Sequence, residues 1–257
     1  MIRWFMTSVL ALALAVPASA KEEFRVGYVR VMDDAQAMLA HEAGLYEKYG
    51  LDANLASQKQ GSTADIVLKG VMLANAGLQP DDLNIMGVAP AVAVQSLVGG
   101  RVDAAFLFEP YDRIAQLVAP VKQIYEIGEV WPFPCMVVIP SGNTLKNRKD
   151  VIWAALDAQR DAIEMLENQP EKAATYITDY FIKEDVVKSL NEGDIPSEKV
   201  IAQAIQTNDF SSKLTEADIN RMKELAGIMQ KQGILPDEEA FDVDALLDLT
   251  WQETREL

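Results

Sequence analysis

The stretch FRVGYVRVMDDAQAMLAHEAGLYEKYGLDANLA, residues 24–56, decides the fold class of this protein. Phe24 to Val31 alternates apolar and polar residues and is rich in valine, which predicts a β-strand. Asp33 to Lys48 begins with acidic N-cap candidates, carries apolar residues at helical spacing and is followed by a glycine, so it predicts a helix. Leu51 to Ala56 predicts a second strand. A strand, a helix and a strand in this order indicate the beginning of a parallel α/β sheet.

The alternation of helices and strands continues through the middle of the chain. The apolar patterns and glycine or proline stops predict helices over residues 61–76, 90–98 and 111–117, and strands over residues 83–88, 102–108, 124–127 and 135–139. Helical periodicity dominates from residue 147 onward, with predicted helices over residues 151–168, 170–181, 183–191, 197–205 and 215–232. Thr215 followed by Asp218 has the spacing of a capping box. We therefore predict an α/β body with a helical C-terminal third.

Composition excludes several classes of function. The 257 residues contain 23 Lys and Arg against 39 Asp and Glu, a formal net charge of −16, which would repel the phosphates of nucleic acid. The single cysteine and single histidine exclude an internal disulfide and leave little for a metal site or a catalytic triad. No nucleotide-binding glycine motif occurs. From these observations together, we predict no cofactor, no metal and no nucleic-acid partner.

The first twenty residues have the features of a signal peptide. Arg3 gives a positive start, Val9 to Val16 is apolar, and Ala18-Ser19-Ala20 is a small-residue cleavage site. The alternative is a membrane anchor or a buried N-terminal helix, which the polar residues that follow Ala20 disfavour. We expect cleavage after Ala20 and a mature protein in the periplasm.

Two segments that directly follow predicted strands are candidates for a ligand site. These are Met32-Asp33-Asp34 and Glu109-Pro110-Tyr111. Residues just beyond the carboxyl ends of parallel strands point into the crevice where α/β proteins bind ligands, so the two segments are expected to face each other. The alternative is ordinary turn chemistry, with aspartate as a helix cap and proline as a chain break.

Further candidates come from single features of the sequence. Gly61-Ser62-Thr63 opens a predicted helix, whose N-terminal N–H groups would favour an anion, although such residues are also common caps. Trp131 would supply an apolar wall together with Tyr111, or belong to the core. Cys135 is expected in a sheltered position, as a packed or pocket-lining residue. His41 is expected to be a solvated surface residue.

Taken in order, these motifs resemble a known family. Val26-Gly27-Tyr28-Val29, Met32-Asp33 and the run from Ala40 to Asp52 are similar to the opening of solute-binding proteins of ABC importers in the nitrate, sulfonate and taurine group. Thiamine-pyrimidine precursor binders and the related pyrimidine synthases share that opening. Later segments agree with the resemblance, namely Gln60 to Thr63, Gly99 to Ala105, Phe108 to Tyr111, Gly128 to Trp131 and Gly233 to Pro236.

The resemblance implies a type II-like periplasmic binding protein with two α/β lobes that close around a ligand by hinge motion, without catalysis. It implies a small polar or anionic organic ligand, such as a sulfonate, nitrate or taurine, a membrane permease as partner and a monomeric state. The ligand would contact residues 32–34, 61–63, 109 and 111, with Trp131 and Cys135 near the crossover. Residues 21–59 would belong to lobe one and residues 60–134 to lobe two. Residues 135–257 would form a crossover strand and a helical region that returns to lobe one.

The chain departs from the family in one place. Family members continue after the second strand with further elements of the first lobe, whereas this chain passes from Leu51–Ala56 almost directly into the helix that opens at Gly61. The first lobe is therefore expected to be incomplete, as after an internal deletion. Three readings remain open beside a sulfonate-type receptor. They are a pyrimidine-binding protein, an enzyme of the pyrimidine-synthase type, and a truncated product that binds nothing.

Overall fold

A computed structural model describes residues 21–57, 63–236 and 241–255 of the protein. The signal peptide expected over residues 1–20 lies outside the described residues, as do Gly61 and Ser62. In the described part of the chain, no helix has both the length and the apolar character that a membrane span requires.

The N-terminal unit has the predicted strand–helix–strand order. Strands β1 (Glu22–Tyr28) and β2 (Leu51–Ser57) pair in parallel, and between them lie helices α1 (Ala35–Glu42) and α2 (Leu45–Lys48). A 3₁₀ turn at Met32–Asp34 precedes α1. The predicted helix is interrupted at Gly44, whose φ of 68° lies in the left-handed region that favours glycine. Parallel pairing confirms the α/β class that the sequence predicts.

The middle of the chain contains the three predicted helices and two short helices that were not predicted. The first predicted helix is divided into α3 (Thr63–Val67) and α4 (Leu73–Asn75), joined by the π-helical segment Leu68–Met72. The other two are α5 (Pro90–Val98) and α6 (Tyr111–Val118), and the unpredicted ones are α7 (Ile127–Val130) and α8 (Gly142–Asn147). The π-helical segment passes close to the C-terminal part of the chain, because a Cβ atom added at Gly70 would lie 2.2 Å from Cγ2 of Ile228.

The four strands predicted in this region are wrong. Residues 83–88, 102–108 and 135–139 join no β-ladder, and Ile127 begins helix α7. The physical reason is that apolar alternation marks a segment able to pair, whereas a strand also needs a neighbour to accept its hydrogen bonds. Several apolar side chains of these segments are exposed, including Met86, Val138 and Ile139.

The C-terminal part is largely helical, with one hairpin. It consists of α9 (Lys149–Asn168), α10 (Pro170–Phe181), β3 (Val186–Ser189), β4 (Gly193–Pro196), α11 (Ser197–Thr207), α12 (Glu216–Lys231) and α13 (Thr250–Thr254). The capping box is confirmed, since the Asp218 N–H donates to Oγ1 of Thr215 at 3.2 Å and the Thr215 N–H donates to Asp218 at 2.8 Å. The helix predicted over residues 183–191 is wrong, because the antiparallel pair β3–β4 occupies this region.

Two apolar cores, together with a third small cluster around Tyr111, support a cleft. The larger one joins β1 and β2 to α1, α9, α10 and α11, and its fully buried side chains include Met38, Leu39 and Tyr46. The hydroxyl of Tyr46 accepts a 3.0 Å hydrogen bond from Nε2 of Gln159 inside this core. The smaller core contains Val67, Val71 and Trp131, covered by Leu225 and Ile228 of α12.

Candidate functional site

A wide cleft is lined by residues from both cores and by the extended segments of the middle region. Its volume is about 3760 Å³. Small-molecule sites usually measure roughly 300–1,000 Å³, so a small ligand would fill only part of this space. The polar groups on the cleft wall therefore decide which part is a candidate site.

The two segments that sequence analysis singled out meet at this wall. The backbone N–H of Met32, just after β1, donates a 2.8 Å hydrogen bond to the carbonyl oxygen of Glu109, just before α6. Asp33, Asp34 and Glu109 all line the cleft. Met32 itself lies in the larger core with no exposed surface, so it contributes its backbone and not its side chain.

The aspartates after β1 are in an environment that disfavours their charge. Burial raises the pKa of Asp34 to about 6, although its carboxylate accepts a 2.7 Å hydrogen bond from the Val29 N–H. Burial also raises the pKa of Asp33, and the charge of Glu126 adds to this effect. Cys135 is sheltered, as predicted, and burial together with both aspartates raises the pKa of its thiol.

Glu109 is the most perturbed carboxyl group of the cleft. Its Oε1 accepts a 3.0 Å hydrogen bond from the hydroxyl of Thr207, and its carboxyl group is in hydrogen-bonding contact with the carboxyl group of Asp112. Burial, followed by hydrogen bonding and charge repulsion from Asp112, raises the pKa of Glu109 to about 8. Near neutral pH this side chain is therefore mostly protonated and able to share its proton with Asp112.

Tyr111 forms part of the cleft wall beside these acids. Its ring packs edge-on against Phe181, with 6.4 Å between ring centroids. Burial raises the pKa of Tyr111, and the nearby charge of Arg30 opposes this rise. Arg30 is exposed on the cleft surface and forms no ion pair within the described ranges. It is thus a cation on the cleft surface near Tyr111.

The structure differs from the sequence-based expectations for Trp131, Thr63 and His41. Trp131 lies in the smaller core, where its Nε1 donates to Glu224 at 3.3 Å, and it does not line the cleft. Thr63 begins α3 but does not line the cleft, whereas the next residue, Ala64, does. Gly61 and Ser62, the other residues of the predicted anion site, lie outside the described residues. His41 is half-buried, with Nδ1 buried and unpartnered in the part of the chain described, so it is not a solvated surface residue.

Sequence analysis missed three residues of this wall. Asp112 had a local signal, because it directly follows Glu109-Pro110-Tyr111, and Arg30 lies near the end of the predicted strand, two residues before Met32. Thr207 had none, since α11 brings it to Glu109 from a distant part of the chain. In residues 21–57, 63–236 and 241–255, no group of three or more His, Cys, Asp or Glu side chains is arranged to hold a metal ion.

Comparisons with known proteins agree with this architecture. The sequence model of the NMT1-like family matches residues 52–178. No curated protein matches the chain. Among solved structures, the fold is similar to the ligand-binding component of an ABC-type import system from Staphylococcus aureus, which was solved with zinc bound. That similarity has a TM-score of 0.66 and covers 90% of this chain and 98% of the other, at 12% sequence identity.

At this level of identity the structural comparison establishes the fold alone. The α/β, two-lobed architecture that the sequence predicts is therefore the one that the chain adopts. The family match begins in β2 and ends in α10, so it includes the segment 109–112 that carries most of the polar wall.

Proposed function

We propose that this protein is the solute-binding component of an ABC import system and holds a small molecule in the cleft. The hydrogen bond from Met32 to Glu109 is the observation that carries this proposal. It holds the ends of two elements side by side, where the carboxyl groups of Asp33, Asp34 and Glu109 line the cleft. Ligand pockets typically contain a small number of precisely placed polar groups of this kind, which orient the ligand.

The two comparisons support the proposal independently. The NMT1-like match rests on sequence, and the similarity to an import-system component rests on the fold. In this role the protein acts outside the cytoplasmic membrane, as a monomer, and delivers its ligand to a membrane permease. The proposal includes no chemical step, so we assign binding and not catalysis.

The order of sequence motifs favours small polar or anionic organic ligands of the sulfonate, nitrate or taurine type. In the described wall, Arg30 is the group suited to an anion, while Asp33, Asp34 and Glu109 suit a hydrogen-bond donor or a cation. Tyr111 and Cys135 complete the proposed contact set with apolar surface. Gly61, Ser62 and Thr63 remain proposed contacts at the start of the next helix.

We also propose that the first lobe has lost residues between β2 and α3. The exposed apolar segments 83–88 and 135–139 support this, because segments of that composition normally pair in a sheet. Sequencing the coding DNA across Ala56 and Ser57 tests it. A reading frame identical to the present sequence is the expected result, and a frame that encodes further residues at this point contradicts the proposal.

Thermal unfolding of the mature protein, residues 21–257, tests the proposed function. The compounds are nitrate, ethanesulfonate, taurine, primary amines and aminopyrimidines, each at millimolar concentration. A ligand present at 100 times its Kd stabilises the folded state by about 2.7 kcal/mol, which raises the Tm by a few degrees. We expect a rise with at least one class, and a smaller rise in the variant Glu109→Gln than in the control Glu167→Gln, an exposed position on α9. An unchanged Tm with every compound contradicts the proposal.

A further inference from the structure

We infer that the outer edge of β1 binds a short extended peptide with apolar and basic side chains as an additional β-strand. The outer edge is defined here as the backbone N–H and carbonyl groups of Glu23, Arg25, Gly27 and Val29. The inference goes beyond the proposed function, because it concerns a second kind of ligand that is held mainly through its backbone. Addition of a strand to an open sheet edge is a recurring mode of peptide recognition.

The register of the sheet shows which backbone groups of β1 face away from β2. The two strands run in parallel, and the Glu22 N–H donates a 2.9 Å hydrogen bond to the carbonyl oxygen of Gly50. Every second residue of a strand bonds to a given neighbour, so the even-numbered residues of β1 bond to β2 and the odd-numbered ones point the other way. Within the described part of the chain, this sheet consists of β1 and β2 alone. The outer edge therefore has no neighbouring strand there.

Side chains cap the two ends of the outer edge. Nη2 of Arg148 donates to the carbonyl oxygen of Glu23 at 2.8 Å. At the other end, the Val29 N–H donates to the carboxylate of Asp34 at 2.7 Å. Both capped residues are odd-numbered, in agreement with the register. The caps limit the open part of the edge to the residues between them.

The middle of the outer edge is open. The N–H and carbonyl groups of Arg25 and Gly27 have no hydrogen-bond partner in residues 21–57, 63–236 and 241–255. Both residues are exposed and line the cleft. A row of unpaired groups on an edge strand is a template for pairing with another strand. From Glu23 to Val29 the edge is about 20 Å long at roughly 3.3 Å per residue, which accommodates a strand of about six residues.

The larger core determines which side chains the added strand needs. Phe24 packs on Tyr46 with 6.4 Å between ring centroids, and the Tyr46 hydroxyl is bonded to Gln159 of α9. Helix α9 thus lies on the same side of the sheet as Phe24, and its residues Ile152 and Ile163 line the cleft. A strand that continues the pleat directs every second side chain to this side. The peptide therefore needs apolar residues at alternate positions.

Charge distinguishes such a peptide from other occupants of the edge. Acidic side chains outnumber basic ones among the residues of the cleft, and the chain has a formal net charge of −16. A peptide with basic ends is attracted to this surface, whereas an acidic peptide is repelled. A second copy of the chain would bring the same negative charge, so pairing between two copies is disfavoured.

Fluorescence anisotropy of labelled peptides tests the inference on residues 21–257. The probe has the sequence KVTVTVK with blocked ends. The comparison peptides are EVTVTVE and KVTVTVK with N-methyl groups on its five central amides. We expect KVTVTVK to bind saturably and EVTVTVE more weakly. The N-methylated peptide should bind at least about tenfold more weakly, because it has lost the donors of several hydrogen bonds.

Two variants of Arg25 form a matched pair. Arg25→Ala and Arg25→Pro both remove the side chain, but only proline removes the N–H that points away from β2. Edge strands accept proline at such positions. We expect KVTVTVK to bind Arg25→Pro about 2–10-fold more weakly than Arg25→Ala, the range for loss of one hydrogen bond. Circular dichroism checks that both variants are folded. In the wild type, which does not depend on the folding of a variant, KVTVTVK should protect the Arg25 and Gly27 N–H groups from hydrogen exchange.

Four results would overturn the inference. They are no binding of KVTVTVK to the folded wild type, equal binding of the N-methylated peptide, no protection of the two N–H groups, and equal binding by folded Arg25→Pro and Arg25→Ala. A dimer in light scattering that Arg25→Pro abolishes would make a second copy the occupant, and the inference would again be wrong. The thermal-unfolding screen with small ligands tests the proposed function separately, because none of these results depends on it.

Discussion

The N–H of Met32 and the carbonyl oxygen of Glu109 are 2.8 Å apart in donor–acceptor distance and join the end of β1 to the start of α6. The Met32 side chain is completely buried, so the core that holds it also fixes the position of Glu109. The polar wall of the cleft thus depends on apolar packing next to it. The Met32–Glu109 hydrogen bond holds the two acid-bearing segments together before a ligand arrives, and preorganisation of this kind reduces the entropy that binding must overcome.

We predict that Glu109→Gln changes the pH dependence of stability. The folded-state pKa of about 8 lies above the ordinary value of 4.5, so the native protein binds more protons than the unfolded chain between these pH values. Stability contributed by this group therefore falls as pH rises from about 4.5 to 8. The stability of the variant should not show this decrease with pH. At pH 8.5 its free energy of unfolding should exceed that of the wild type by on the order of 1–2 kcal/mol, as measured by urea unfolding.

The exposed substitution Glu167→Gln is the control for this measurement, because Glu167 lies on α9 away from the cleft. Its stability should follow the wild-type curve at both pH 5.5 and pH 8.5. Equal pH dependence in wild type and Glu109→Gln would contradict the assigned environment of Glu109.

Gly70 and Gly227 provide a matched pair of glycine substitutions. A Cβ atom at Gly70 would meet Ile228 at 2.2 Å, whereas one at Gly227 of α12 meets nothing within 4 Å. We predict that Gly70→Ala destabilises the protein by about 1–3 kcal/mol through overpacking. Gly227→Ala should stabilise it by about 0.5–1 kcal/mol, because alanine favours a helix interior. Thermal or urea unfolding distinguishes the two, and destabilisation of similar size in both would contradict the close packing of α12 on the π-helical segment.

The sequence predicted the elements whose signals are local. The β1–α1–β2 unit and the capping box at Thr215 follow from short patterns of neighbouring residues, and the structure contains both. The segments 83–88 and 102–108 have equally clear apolar patterns but form no ladder, because pairing depends on a neighbour that no local pattern supplies. The hairpin β3–β4 had a local signal, since Val186-Val187 and the Gly193 turn favour strands over a helix.

Part of the candidate site was also predictable from the sequence. Asp33 and Glu109 follow from the rule that ligand crevices lie beyond strand ends, even though only the strand before Asp33 is formed. Thr207 was not predictable, because its contact with Glu109 depends on how α11 packs. Trp131 was misplaced because an aromatic residue next to prolines fits a pocket wall and a core equally well, and only packing against α12 decides between them.

Asp157 joins the C-terminal helix to α9. Its Oδ2 accepts a 2.7 Å hydrogen bond from Nη2 of Arg255, and Oδ1 accepts from Nε at 3.0 Å and from Trp251 at 3.2 Å. Burial alone would raise the pKa of Asp157, but the hydrogen bonds and charge of Arg255 hold it below its ordinary value. We predict that Asp157→Asn lowers stability by about 1–3 kcal/mol near pH 7.

The pKa of Asp157 is lower in the folded protein than in the unfolded chain. Its contribution to the free energy of unfolding is therefore complete above the unfolded-state pKa, near 4, and is lost as the pH falls through the folded-state pKa. Urea unfolding should therefore separate Asp157→Asn from wild type at pH 7 and bring the two together at low pH. Glu164→Gln, an exposed change on the same helix, is the control. A difference that persists unchanged into strong acid would contradict the ion pair.

Alkylation of Cys135 measures the effect of Asp33 and Asp34 on the cleft without a ligand. Burial raises the pKa of this thiol, and Asp33 and Asp34 raise it further, so little thiolate is present at pH 8. Since the thiolate is the nucleophile, we predict that iodoacetamide reacts at least about tenfold more slowly with the folded protein than with the urea-unfolded chain. Asp33→Asn should increase the folded rate by removing a negative charge, whereas Asp52→Asn, an exposed change on β2, should not. Equal rates in Asp33→Asn and wild type would mean that Asp33 does not act on this part of the cleft.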